Sequence, residues 1–229
     1  MKRFYATATS SPEDGGVAIL LDGRPVRTPA RTPLRVPTEE LAEAIAEEWN
    51  AQGEKVDPAT MPLTGLANAA IDRVVPDPAK FAATLAQYGE SDLLCYRADG
   101  PAPLVERQAL HWDPLLGWAR TRFDVELEAT TGVIHHPQPP ATIGQLRRAV
   151  AARSAFQLAG LSPLVTIAGS LVIALALAEG AIGLETAWAA ATLDEAWQAE
   201  QWGEDALAAE ALANRRREFE AAYRFLTLL

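Results

Sequence analysis

Leu161 to Ala178 is a run of 18 residues without a charged side chain. A chain carrying such a run either crosses a membrane with it or encloses it in a helical domain. The length stands at the lower edge of what a span requires. Fully helical and upright, it would rise roughly 27 Å, short of a hydrocarbon core of about 30 Å. Pro163, Thr166, Gly169 and Ser170 dilute the run, and Glu179-Gly180 follows it with no aromatic or basic belt. The pattern predicts a helix buried on all sides of a bundle and no stable membrane insertion. A membrane-attached adaptor using the same run is the competing reading.

The rest of the chain supplies the bundle. Asp77-Pro78 reads as a cap followed by proline at the first helical position, with Phe81, Leu85 and Tyr88 on one face. Leu104 to Trp112 is periodic, Asp113-Pro114 repeats the cap-and-proline start, and Phe123 to Val133 reads as a short strand or extended link. Helical stretches are expected near 142–158, 163–179, 185–202 and 205–227. The N-terminal part differs. Val17 to Leu21 runs into Asp22-Gly23 and then Arg24 to Pro29, a hairpin signal because both turn positions need φ > 0. Pro25 and Pro29 make the second strand an edge, and Leu34-Arg35-Val36 can add a short strand. Thr38 caps a helix whose Leu41, Ile45 and Trp49 share a face, so Trp49 is expected to be structural. A further helix is expected from Leu63 to Val74. The expected fold class is α+β: a small β-rich N-terminal domain over 1–76, then an all-α helical C-terminal domain over 77–229. A single α+β domain whose strands cap a bundle is the alternative.

Charge and motifs narrow the function. Acidic residues number 30 and basic residues 20, a net charge of −10. Neither phosphate neutralisation on a nucleic acid nor attachment to an anionic membrane suits that balance. One cysteine, Cys95, excludes an internal disulfide or a Cys-rich metal site, and its apolar neighbours mark a buried, inert thiol. The first residues carry neither a secretory nor an organellar signal. No phosphate-binding glycine loop, nucleophile elbow or zinc helix motif is present. His135 and His136 are adjacent, and in a strand would face opposite ways. No catalytic, cofactor-binding or metal-ligating residue is therefore assigned. The alternative is an enzyme with a site in the inter-domain cleft, gathering residues such as Asp92, Glu106 and His111.

No lysine or arginine occurs between Arg153 and Arg215, while the interval holds eight acids: Glu179, Glu185, Asp194, Glu195, Glu200, Glu204, Asp205 and Glu210. They are solvated, or paired with arginines elsewhere in the fold, or they meet a donor on a partner. On one continuous helix over 185–202, Ala189, Ala190, Leu193, Ala196 and Trp197 share a core face. Trp188, Glu195 and Trp202 line the opposite face. Either that helix is sandwiched, or this stripe binds protein, where tryptophan is enriched.

Several blocks resemble one family. They are Lys2-Arg3-Phe4-Tyr5, Leu21 to Pro29, Glu48-Trp49, Met61 to Asn68, Ser91 to Arg97 and Trp112 to Leu116, and most specifically Leu193-Asp194-Glu195 with Gln198, Trp202 and Gly203. Together they look like the F-type ATP synthase assembly factors, chaperones of the alpha subunit of the catalytic head. Eukaryotic members are mitochondrial, and alphaproteobacteria carry homologues. The resemblance implies a non-enzymatic protein without cofactor. It would bind the unassembled alpha subunit and prevent its aggregation until the beta subunit pairs with it, in the bacterial cytoplasm. Glu195, Trp188, Gln198, Trp202, Asp194 and Asp205 are the partner-binding candidates.

Overall fold

The computed structural model describes residues 2–203 and 205–229 and divides into two compact units. Unit 1 comprises Met1–Pro78, Ser154–Gly160 and Ala221–Leu229; unit 2 comprises Ala79–Arg153 and Leu161–Glu220.

Unit 1 is built on a four-stranded antiparallel sheet: β1 (Ala8–Glu13), β2 (Gly16–Leu21), β3 (Arg24–Pro25) and β4 (Arg35–Val36), with β1, β3 and β4 all pairing with β2. Asp22 and Gly23 both have positive φ, 48° and 78°, as the hairpin signal requires. The Asp22 carboxylate accepts the Ala6 and Thr7 backbone N–H groups, and those bonds hold it below the usual carboxylate range. β1 was not expected. Its polar sequence ATSSPE gives no strand signal of its own, but it pairs with β2 from Ala8↔Leu21 to Glu13↔Gly16. The Asp14-Gly15 dipeptide between them is a second hairpin mark.

Helix α1 (Glu39–Asn50) starts as expected, the Thr38 hydroxyl accepting from Leu41 N at 3.3 Å. Leu41 and Ile45 are fully buried in one cluster with Ile19, Val36 and Leu63. α2 (Pro62–Ala69) continues into a π turn, Ala70–Val74. Its N-terminus is closed by Glu48, whose carboxylate accepts from Leu63 N at 2.7 Å and Thr64 N at 2.8 Å. Burial pushes the Glu48 carboxyl up while those bonds oppose the shift. Tyr5 lies edge-on to Trp49 and donates its hydroxyl to Trp49 O at 2.6 Å.

Trp49 is partly buried against this core. Its indole N–H is enclosed with no acceptor among the described residues. Trp49→Ala is expected to cost about 3 kcal/mol in urea unfolding. Trp49→Phe is expected to cost within about 1 kcal/mol, because it keeps a ring and removes an unpaired buried donor. Equal losses for the two would show that the packing argument is wrong.

In unit 2 helix predominates. In chain order come α3 (Pro78–Ala86), α4 (Ala102–Phe123), α5 (Pro140–Ala151), α6 (Ala155–Ala168), α7 (Leu171–Ala178), α8 (Leu184–Ala191), α9 (Leu193–Trp202) and α10 (Ala206–Thr227). The ends of α3, α6 and α10 divide between the units. One parallel pair, β5 (Tyr96–Arg97) with β6 (Thr130–Thr131), completes the unit. Asp113-Pro114 does not start a helix, because α4 runs through Pro114. Leu110, whose carbonyl loses its intrahelical donor, stands on an exposed face where water can serve it. The link after α4 is extended, burying Val125 and Leu127 alternately.

The uncharged run is two helices. It breaks at Gly169, with φ 62°, and Ser170 caps α7. Every side chain from Leu171 to Leu177 is buried. Among the described residues no helix is long and apolar enough to cross a membrane.

Candidate functional site

The 185–202 stretch also breaks, at Thr192, where φ −112° and ψ 15° leave the helical range. That break resets the phase between α8 and α9, so the wheel drawn through both does not hold. Ala189 and Ala196 are exposed instead of facing the core. Trp188 is buried, its ring 5.6 Å from that of Phe219 and under the Arg216 guanidinium. Trp202 is 80% exposed. The expected stripe of two equivalent tryptophans is thus one packed and one free.

α9 and α10 flank an open cavity of about 730 Å³. Trp188, Glu195, Gln198, Trp202 and Asp205 all line it, so five of the six candidate residues share one wall system. The sixth, Asp194, lines a neighbouring cavity of about 370 Å³ with Leu104 and Trp197. Gln198 and Trp202 border both cavities. The opposite wall is α10, through Ala208, Ala209, Leu212 and Ala213. Sequence reasoning missed this wall because the alanine-rich tail carries no distinctive pattern. The available signal was Arg215-Arg216-Arg217, the first bases after the base-free interval.

Those arginines and others answer the acids. Arg215 pairs with Glu195, and Arg216 with Glu185 and Glu220. Arg107 forks onto Glu200 at 2.7 and 2.9 Å, lies over Trp197 and holds the Glu200 carboxyl below its ordinary range. Arg122 and Arg153 share Glu179. Asp194 accepts from Gln108 Nε2 at 2.8 Å, and Asp205 caps α10 by accepting from Leu207 N at 3.1 Å. Glu204 lies outside the described residues.

The chemistry-bearing residues elsewhere are otherwise engaged. Asp92 is fully buried and caps a helix. Cys95 is buried, its thiol pushed up to about 12. His135 faces the Tyr96 hydroxyl at 3.2 Å, and His136 faces Glu128 at 2.9 Å. Among the described residues no cluster could hold a metal ion.

The family model described as ATP12 chaperone protein matches residues 2–120. The chain belongs to that family. Members of the ATP12 family are ATP synthase assembly factors, the group that the sequence blocks resemble. Protein atp12, mitochondrial, of Schizosaccharomyces pombe is 28% identical over 214 residues, covering 88% of this chain and 74% of the yeast protein. The crystal structure of Atp12 from Paracoccus denitrificans matches with a TM-score of 0.95 at 48% identity, covering 99% of this chain and 97% of that one. An aspartate-to-lysine variant of the same bacterial protein matches equally. A crystal structure from Agrobacterium tumefaciens is 43% identical with a TM-score of 0.94, covering 99% of this chain and 85% of that one. The chain is accordingly an ATP12-family chaperone of α+β architecture.

Proposed function

We propose that this chain holds the unassembled alpha subunit of the F-type ATP synthase catalytic head until the beta subunit pairs with it, without catalysis or a cofactor, in the bacterial cytoplasm. The observation that supports this reading is Trp202, 80% exposed at the mouth of an apolar cavity, inside the block that most resembles the assembly factors. A ring subunit exposes its interfaces before assembly, and exposed apolar surface aggregates. Reversible cover needs an aromatic anchor beside an apolar recess and requires no nucleotide hydrolysis. Glu195, Trp188, Gln198, Trp202, Asp194 and Asp205 are proposed to form that surface.

The test is co-expression of the tagged chain with alpha subunit in the absence of beta subunit. The expected result is alpha subunit recovered from the supernatant with the tagged chain and released when beta subunit is added. Alpha subunit found equally in the pellet with and without the chain would overturn the reading.

A further inference from the structure

We infer that the surface around Trp202 receives an amphipathic α-helix of the unassembled subunit, its apolar face in the α9–α10 cavity and its cationic side chains directed at Trp202, Asp194 and Asp205. The identity of the helix donor rests on the function proposed above; the chemistry of the receptor rests on the following observations.

The first is the charge balance of the two cavities that share Trp202. The lining arginines, Arg215 and Arg216, are each already matched by a carboxylate. Asp194 and Asp205 are the two lining carboxylates that form no ion pair among the described residues. Each is held in place by a neutral donor, the Gln108 amide in one case and the Leu207 N–H in the other. Oriented carboxylates without a cation, beside an open indole face, favour an arginine or lysine and disfavour an acidic segment.

The second is the construction of the walls. Most of the lining comes from α9 and α10, whose backbone groups away from the helix ends are spent within their own helices; at those ends Gly203 N is bonded to Ala199 O at 2.9 Å and Leu207 N to the Asp205 carboxylate at 3.1 Å. An extended segment laid in such a groove would bury N–H and C=O groups with nothing to pair them. A helix brings its backbone bonds with it and needs to contribute only side chains. A recess of about 730 Å³ lined by alanines takes several apolar side chains and excludes a single-residue contact as its purpose.

The test uses the full chain and two probes: unassembled alpha subunit, and a pair of synthetic 20-residue amphipathic helices of about equal helicity, one leucine–arginine and one leucine–glutamate. Asp194→Asn and Asp205→Asn keep an acceptor for Gln108 and for the helix cap, and Trp202→Ala removes an exposed ring, so native-like melting is expected of all three. The leucine–arginine peptide is expected to bind and the leucine–glutamate peptide to fail. Trp202→Ala is expected to weaken binding by more than about tenfold, and each Asp→Asn change to weaken it several-fold and flatten its salt dependence. If the chain captures alpha subunit but the three variants capture it equally well, the docking inference falls and the proposed function stands. If alpha subunit is not captured while the arginine peptide still binds through Trp202, the receptor chemistry stands and the proposed function falls. Equal binding of both peptides overturns the inference directly.

Discussion

Asp92→Ala is expected to cost about 3–5 kcal/mol of unfolding free energy at pH 5, more than any surface substitution in this chain. The reason is the break in the uncharged run. α7 begins inside unit 2, where no water can serve its first N–H groups. Ser170 Oγ takes the Ile173 N–H at 3.0 Å, and Asp92, from 80 residues away, takes the Val172 N–H at 3.0 Å. The same carboxyl accepts from Leu94 N at 3.1 Å. Alanine would orphan at least the buried Val172 and Leu94 N–H donors, at about 1–3 kcal/mol each.

The pH dependence carries the signature of this group. Burial pushes the Asp92 carboxyl up from 3.8 to about 6, against the bonds from Ser170, Val172, Leu94 and Leu171 that favour the anion. A folded pKa above the unfolded one means that the native state binds the extra proton between pH 4 and 6. Stability contributed by Asp92 is therefore present at low pH and declines as pH rises through that window, by about 3 kcal/mol. Chemical denaturation at pH 4.5 and 7.5 is expected to show the deficit of Asp92→Ala larger at the lower pH. A deficit independent of pH would show that Asp92 is not the titrating group.

What the sequence made legible was local. Asp22-Gly23 names its turn through two positive φ angles, Thr38 names a helix start, and the blocks from Lys2 to Gly203 identify the family without a structure. The uncharged run was legible as interior. Its division was not, because the break at Gly169-Ser170 is stabilised by a carboxylate far away in sequence. The phase error on the α8–α9 face has a similar origin. Thr192 lacks the glycine or proline that marks a helix end, and its hydroxyl bonds back to Trp188 O at 2.9 Å. A wheel drawn across it assigns Trp188 and Trp202 one environment when they have two. Of the candidate surface, sequence located α9 but not its facing wall, since pairing Glu195 with Arg215 depends on how α10 packs.

That pairing supports the second large effect. Glu195→Lys is expected to reduce capture of alpha subunit about 100-fold, about 3 kcal/mol in binding, while shifting fold stability by less than about 1 kcal/mol. Both side chains of the Glu195–Arg215 pair are nearly half exposed, so solvent screens it and little folding energy depends on it. Its position is what matters: Glu195 stands on one wall of the cavity and Arg215 on the other. Lysine at 195 sets two cations against each other across the recess and adds positive charge where a cationic helix is proposed to enter. Two roles for Glu195 then separate in one further variant. If the carboxylate serves to hold α10 against α9, Glu195→Arg combined with Arg215→Glu restores the bridge and most of the binding. If it meets a donor on the subunit, the exchange restores native-like melting and leaves binding lost. Wild-type capture by a well-folded Glu195→Lys variant would remove Glu195 from the surface altogether, and a melting point lowered by tens of degrees would show the pair to be a structural clamp of unit 2.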